Sequence, residues 1–318
     1  MTTGVRAAPS SCLHGDMTKN RAPRILTALA VLAAGMMAFA GCAAAASETS
    51  SSSSGTQKIV LGADDATEAH WGILKDKLAK EGIELEVRNF TDGVQLNNGV
   101  KDGDLDINLF QHLIFLAQYD VDNKADLVPI GATAVYPLAL YSEKYSSVDD
   151  LPEGATVALP NNPTNLARAL LNLQTAGLLT LKDGGNALST PADVVTSRIE
   201  LKPVDSNQTV TALKDGSALA AVVNNTQAQR GGLGDDRIIF KEDLDDPKLA
   251  PYINAFVVKA DRKDDKVWQK IIDAYHSTEV EASVTELNQG NLKFKAEWTS
   301  AQLQDELARL EDDIRAHK

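Results

Sequence analysis

Short strand-like runs alternate with helix-like stretches along the sequence from residue 58 onward. Residues 58–63 are β-rich, and residues 66–80 have apolar side chains at helical spacing. Further strands are predicted at residues 83–87, 105–109, 127–131, 138–141, 155–159, 199–204, 219–223 and 254–258, and further helices at 111–121, 165–176, 208–213, 266–275, 280–287 and 300–316. Such alternation predicts an α/β fold.

The length and charge of the chain narrow the class of protein. A chain of 318 residues is longer than one hydrophobic core usually covers, so the alternating segments predict about two lobes. A hydrophobic content of 43% excludes a wholly disordered chain. Because 31 basic residues face 44 acidic ones, for a net charge of −13, we predict no nucleic-acid partner.

A short apolar segment near the N-terminus predicts export. Basic residues precede the apolar run of residues 25–40, which is too short and too rich in Ala and Gly for a membrane-spanning helix. The tetrad Phe-Ala-Gly-Cys at residues 39–42 resembles the lipobox of bacterial lipoproteins, in which the cysteine is lipidated. We predict a signal peptide over residues 1–41, with Met17 as an alternative start, and a lipidated Cys42. The alternative is an anchor helix that is never cleaved.

The segment after the predicted cleavage site, residues 42–57, is rich in Ala and Ser and reads as a flexible tether. Several acyl chains on one cysteine, palmitate among them, anchor a protein firmly. We therefore expect the protein at the cell membrane, on its extracytoplasmic side. Cys12 and Cys42 are the only cysteines, so the folded part has no disulfide and no thiol nucleophile.

The common signatures of enzymes are absent from the sequence. It contains no dinucleotide-binding glycine motif after a strand, no Walker A loop, no H-E-x-x-H and no G-x-S-x-G. We therefore predict no enzyme activity, no catalytic residues, no metal and no cofactor. The alternative is an exported metal-dependent hydrolase, whose candidate ligands would be Asp64, Asp65, Glu68, His70 and His112.

Polar side chains at a strand-to-helix junction, residues 159–170, suit an anionic ligand. An Asn-Pro turn places the backbone N–H groups of the helix start beyond the end of the strand. The leucines of this helix share one face, and Arg168 lies on the opposite side. Arg168 is therefore either a clamp for a carboxylate, which its guanidinium fork suits, or a solvated surface arginine.

Two further junctions carry similar groups. Residues 109–116 combine Phe110 and His112, which are either core and helix-start residues or ligand contacts. Residues 221–228 form an apolar strand that ends in two amides, and Asn224 is either a turn former or a cleft residue.

In this order, the segments resemble the methionine-binding lipoproteins of the NlpA-type family, which serve methionine ABC importers. The resemblance runs from about residue 58 to 289 and is most specific in N-P-T-N-x-x-R at residues 162–168. Supporting motifs are F-Q-H at 110–112, V-Y-P-L at 135–138, Y-S at 141–142, V-N at 223–224 and P-Y-I-N at 251–254.

The resemblance implies a two-lobed α/β fold of the type II periplasmic-binding-protein kind, with a ligand cleft between the lobes. We expect lobe 1 in residues 58–136 plus 251–318 and lobe 2 in residues 137–250. Hinges are expected where the chain crosses between lobes, near residues 136–138 and 249–254.

The resemblance also implies a binding site for a free amino acid. Its residues are, in full, Phe90, Phe110, His112, Tyr136, Asn165, Arg168 and Asn224. Arg168 would bind the ligand carboxylate, and the two asparagines its polar end. Phe110, His112 and Tyr136 would surround a thioether side chain.

The chain departs from the family pattern at several positions. Gly93 replaces a typical Tyr, Leu109 stands where an aromatic or small residue is usual, and residues 114–115 are Ile-Phe in place of Pro-Tyr. Residues 64–70 do not match the usual first loop, and the tail after residue 289 is longer than typical.

The predicted function is therefore a lipid-anchored binding protein that delivers L-methionine or a close analogue to an ABC permease and its ATPase. Gly93 leaves open a larger ligand, such as a methionine-containing dipeptide. A surface adhesin or structural lipoprotein that has lost the ligand is a further alternative, which the presence of Asn165, Arg168 and Asn224 disfavours.

The lipobox interpretation is tested by Cys42→Ala. Because the acyl chains on Cys42 are the predicted anchor, the variant should move from the detergent phase to the aqueous phase in detergent partitioning. A Cys42→Ala protein that stays with the membrane would contradict the lipoprotein interpretation.

Overall fold

Two five-stranded mixed sheets organise residues 56–317, the part of the chain that the computed structural model describes. The predicted signal peptide, Cys42 and nearly all of the tether lie outside these residues.

The strands are β1 (Gln57–Ala63), β2 (Ile83–Asn89), β3 (Ile107–Asn108), β4 (Leu127–Ala132), β5 (Ala134–Val135), β6 (Ala139–Tyr141), β7 (Ala155–Pro160), β8 (Leu179–Leu181), β9 (Val194–Ser197), β10 (Ile199–Val204), β11 (Ala220–Val223), β12 (Ile238–Phe240), β13 (Ala255–Lys259) and β14 (Lys293–Phe294). The helices are α1 (Ala69–Ala79), α2 (Gly93–Asp102), α3 (Leu113–Asn123), α4 (Pro163–Thr175), α5 (Thr209–Lys214), α6 (Asn225–Arg230), α7 (Val267–Tyr275), α8 (Thr278–Leu287) and α9 (Ser300–Ala316).

The two sheets share one plan. The first has the order β2-β1-β3-β13-β4, and the second has the order β10-β7-β11-β6-β12. In the first, β1 runs parallel to β2 and β3, and β13 is antiparallel to β3 and β4. In the second, β7 runs parallel to β10 and β11, and β6 is antiparallel to β11 and β12. The mixed α/β architecture that the alternating pattern predicts is confirmed.

The chain crosses between the sheets twice, because the first sheet takes β13 from late in the sequence. The crossings are residues 133–138 and residues 241–254, and they include both segments in which hinges are predicted. The predicted lobe boundaries and the hinge motion both stay predictions.

Helix caps explain why two of the predicted helices form. In α4 the Asn162 side chain accepts from the Asn165 N–H at 3.1 Å, and Pro163 occupies the first helical position. In α9 the Thr299 and Gln302 side chains each bond the other's backbone N–H, which is the predicted capping box.

Helix α9 is part of the core of the first lobe, although it lies in the tail beyond the family resemblance. Its Leu303, Leu307, Leu310 and Ile314 are buried in a hydrophobic cluster with residues of α3 and β4. Each such side chain contributes roughly 1.5–3 kcal/mol when fully buried. In the described part of the chain, no helix has the length and hydropathy needed to cross a membrane.

A buried acid lies beneath this C-terminal helix. Asp120 of α3 is 3% exposed, and neither of its carboxylate oxygens has a hydrogen-bond partner among the described residues. Burial, and then the nearby Glu311 carboxylate of α9, raises the pKa of Asp120 to about 8. The Leu127 N–H approaches and opposes the rise without completing a hydrogen bond, and Arg315 opposes it weakly.

We expect Asp120→Asn to stabilise the protein in a pH-dependent way. The folded pKa lies above that of the unfolded chain, so the parent loses stability as pH rises from about 4 to about 8. Asparagine does not ionise, so the variant should gain on the order of 1–3 kcal/mol at pH 8 and almost nothing at pH 4. Chemical denaturation at several pH values measures this, with Asp305→Asn, an exposed acid of α9, as control. Parallel profiles for Asp120→Asn and the parent would contradict it.

Candidate functional site

A cavity of about 510 Å³ lies between the two sheets. This volume is in the range of about 300–1,000 Å³ that small-molecule sites occupy. Its lining includes residues that directly follow the carboxyl ends of β1 and β3 in one sheet and of β7 and β11 in the other. Ligands of open α/β sheets bind at such strand ends. We refer to this cavity as the cleft.

Arg168 lines the cleft and is only 4% exposed, so the solvated-surface interpretation of this arginine is wrong. Its Nε and Nη2 donate to Glu242 Oε1 and Oε2 at 2.8 and 2.6 Å. Its Nη2 also donates to the Tyr136 carbonyl oxygen at 2.8 Å, and the guanidinium lies 4.2 Å from the centre of the Tyr252 ring. The helical pattern located the leucine face correctly but gave no sign that the two crossing segments cover the other face.

Glu242, the buried partner of Arg168, is the residue beside the cleft that the sequence pattern did not reveal. It lies in an acid-rich connection, where nothing local separates it from its neighbours. Its Oε2 also accepts from the Leu138 N–H at 2.9 Å. The Glu242 carboxylate, which lies in the second crossing, therefore bonds both the first crossing and Arg168 of α4. Arg168 Nε and Nη2 are used in these bonds, and Arg168 Nη1 donates no hydrogen bond to the described residues.

The orientation of Asn165 is fixed by His112. The Phe115 N–H donates to His112 Nδ1 at 3.2 Å, so the ring proton is on Nε2. His112 Nε2 therefore donates to Asn165 Oδ1 at 3.0 Å. Burial, and then the Arg168 charge, lowers the pKa of His112 to about 4, so this histidine is neutral at physiological pH.

Asn224 is oriented in the same way. Its Oδ1 accepts from the Gln227 N–H at 2.9 Å and caps α6. The amide oxygens of Asn165 and Asn224 are thus both engaged, whereas neither Nδ2 donates a hydrogen bond to the described residues. Both side chains line the cleft with Arg168. This wall, which we call the donor wall, presents N–H groups of the kind that bind a carboxylate.

Two phenylalanines form an apolar wall of the cleft. The Phe110 and Phe115 rings meet edge to face, with centroids 5.8 Å apart. A Cβ at Gly93 would lie 2.6 Å from Phe110 and 3.0 Å from Phe115. The expectation that Gly93 enlarges the pocket is therefore wrong, because the two rings already fill that space.

The remaining predicted site residues divide between the cleft and the core. Tyr136 lines the cleft, where burial raises the pKa of its hydroxyl. Phe90 is not among the lining residues and packs, partly buried, against the hydrophobic cluster that contains α3 and α9. The predicted residues that the structure brings together at the cleft are Phe110, His112, Tyr136, Asn165, Arg168 and Asn224.

An acidic corner of the cleft follows β1. Asp65 Oδ1 accepts from Trp71 Nε1 at 2.8 Å, and Asp65 Oδ2 lies 3.7 Å from His70 Nε2. Burial, and then the Asp65 charge, raises the pKa of Asp64 to about 7. Within residues 56–317, no three His, Cys, Asp or Glu side chains are placed to hold a metal ion. The described residues therefore give the metal-dependent hydrolase alternative no metal centre.

Comparisons with known proteins identify relatives of this chain. The family model described as NlpA lipoprotein matches residues 59–296. The chain is 38% identical, over 265 residues, to the D-methionine-binding lipoprotein MetQ of Salmonella typhi, an alignment that covers 81% of this chain and 94% of that protein.

Solved structures agree. The substrate-binding protein of a methionine transporter from Streptococcus pneumoniae superposes with a TM-score of 0.69 at 34% identity, covering 75% of this chain and 95% of that one. A nutrient-binding protein from Burkholderia cenocepacia, solved with methionine bound, superposes with a TM-score of 0.68 at 32% identity, covering 75% of this chain and 99% of that one. The two-lobed binding-protein fold is confirmed by these neighbours, and each relative named here is described as a binding protein.

Proposed function

Because the chain belongs to the NlpA lipoprotein family, we propose that it binds methionine or a close analogue in the cleft and delivers it to the permease and ATPase of an ABC importer. The names of the relatives support this ligand, since they include a D-methionine-binding lipoprotein and a protein solved with methionine bound. The predicted lipid on Cys42 would hold the protein at the outer side of the cell membrane.

The donor wall is the observation that carries the proposal. Arg168 Nη1 and the Nδ2 groups of Asn165 and Asn224 are donors that no described residue engages. A ligand carboxylate would accept from them, and charge-assisted bonds of this kind are about twice as strong as neutral ones. Glu242 and Tyr252 hold the guanidinium in place, and neither is among the residues that line the cleft.

The apolar wall suits the other end of methionine. Phe110 and Phe115 line the cleft, and a thioether sulfur against an aromatic ring contributes roughly 0.3–1.5 kcal/mol. His112 stays neutral beside them, so no charge has to be desolvated next to the thioether.

Polar contacts hold the two lobes together around the cleft. His112 of the first sheet's side bonds Asn165 of the second. Asn225 and Gln229 of α6 both donate to Asn288 Oδ1, which follows α8, and the Gln229 bond measures 2.8 Å. We propose that these bonds open when a ligand enters and that the two crossings serve as the hinge.

The test removes the guanidinium together with its buried partner. Arg168→Gln alone leaves the Glu242 carboxylate buried without a cation, which should cost about 3–5 kcal/mol of stability. Arg168→Gln combined with Glu242→Gln avoids this and isolates the ligand contact. We expect the double variant to lose about 30-fold to several thousand-fold in methionine affinity by calorimetry.

Melting curves serve as the control for folding. Without ligand, the double variant should melt closer to the parent than Arg168→Gln does, and methionine should raise only the melting temperature of the parent. Methionine amide, which lacks the carboxylate charge, should bind the parent weakly. A double variant that binds methionine within threefold of the parent would contradict the carboxylate clamp.

A further inference from the structure

We propose that Asp64, Asp65 and His70 form an ammonium subsite, which selects ligands that carry a free amino group. The inference rests on the proposed function and deepens it, because it names the second charged group that the cleft recognises. Residues 64–70 do not match the usual first loop of the family, so the resemblance does not imply this subsite.

The first step is that the donor wall cannot hold an ammonium group. Asn165 and Asn224 have already engaged their amide oxygens, and Arg168 carries a positive charge. An ammonium group has donors only, so it needs acceptors that the cleft must supply elsewhere.

The second step compares the aspartates that line the cleft. Asp92 accepts from the N–H groups at the start of α2, at 2.7 and 3.2 Å, and is used as a cap. Asp205 is exposed and accepts from Asn161 Nδ2 at 2.8 Å. Asp65 accepts from Trp71 Nε1 through one oxygen. Asp64 alone of the four has no hydrogen bond from another described residue.

The third step is the unpartnered histidine in the same corner. His70 lines the cleft, is 3% exposed, and its Nδ1 has no hydrogen-bond partner. Its Nε2 faces Asp65 Oδ2 at 3.7 Å, which favours a proton on Nε2 and leaves the Nδ1 lone pair as an acceptor. Burial lowers the pKa of His70 to about 4, so that acceptor stays available at physiological pH. Buried polar atoms are normally paired, and a ligand N–H group would satisfy this one.

The fourth step is that the acidic corner faces the donor wall. Arg230, at the end of α6, is close enough to lower the pKa of both Asp64 and Asp65 against the larger effect of burial. Asn224 caps the start of the same helix. The N–H donors that would bind a ligand carboxylate and the acceptors that would bind a ligand ammonium group therefore belong to different lobes and line one cleft. This arrangement suits the zwitterion of a free amino acid.

The experiment compares methionine with N-acetylmethionine, which keeps the carboxylate and the thioether but has no ammonium group. We expect the parent to bind methionine at least tenfold more tightly. Asp64→Asn should weaken methionine binding roughly 10- to 100-fold and leave N-acetylmethionine binding unchanged. Asp64→Asn combined with Asp65→Asn should weaken it further.

Asp205→Asn is the matched control, because it removes the same charge from the rim of the same cleft. It should leave the preference for methionine intact. One outcome is that the parent binds methionine while Asp64→Asn and its combination with Asp65→Asn keep the methionine affinity within threefold. In that outcome the ammonium subsite is wrong and the proposed function stands. An equal loss of both ligands would reveal a merely structural role and also overturn the subsite. A parent that binds neither compound would overturn the proposed function and the subsite together.

Discussion

The buried pair of Arg168 and Glu242 is the interaction on which the geometry of the site depends. It joins α4 of the second lobe to both crossings, because Glu242 lies in the second crossing while the guanidinium also bonds the Tyr136 carbonyl, and the carboxylate the Leu138 N–H, in the first. Such a pair adds little net stability, since desolvating two charges offsets their attraction. Its value here is orientation: it ties α4, the helix that carries Asn165, to the two crossing segments and leaves Nη1 as the guanidinium nitrogen that donates no hydrogen bond to the described residues.

The cleft separates its chemistry by lobe. The second lobe supplies the donor wall, whereas the first supplies the acidic corner after β1 and the apolar wall after β3. A ligand that satisfies all three at once must contact both lobes, so the proposed function predicts that binding favours closure of the cleft. Helix α9, which lies beyond the family match at residues 59–296, adds to the core of the first lobe and is not among the residues that line the cleft.

The sequence predicts the elements whose signals are local. The leucine spacing and Asn-Pro cap of α4 and the capping box of α9 are sufficient to place both helices within two residues of their observed starts. Helices α2 and α6 escape prediction because one begins with Gly93 and the other is made of polar residues. Contacts between segments that are apart in the sequence are missed for another reason: neither the burial of Arg168 by Glu242 nor the filling of the space at Gly93 by the Phe110 and Phe115 rings has a local signal.

The identity of the natural ligand tests the account most directly. Purified protein can be denatured, and the small molecule that it releases can be identified by mass spectrometry. We expect methionine, or an analogue with a free carboxylate, a free ammonium group and an apolar side chain, at close to one molecule per chain. Release of a compound without a carboxylate would contradict the assignment of the donor wall and, with it, the proposed function.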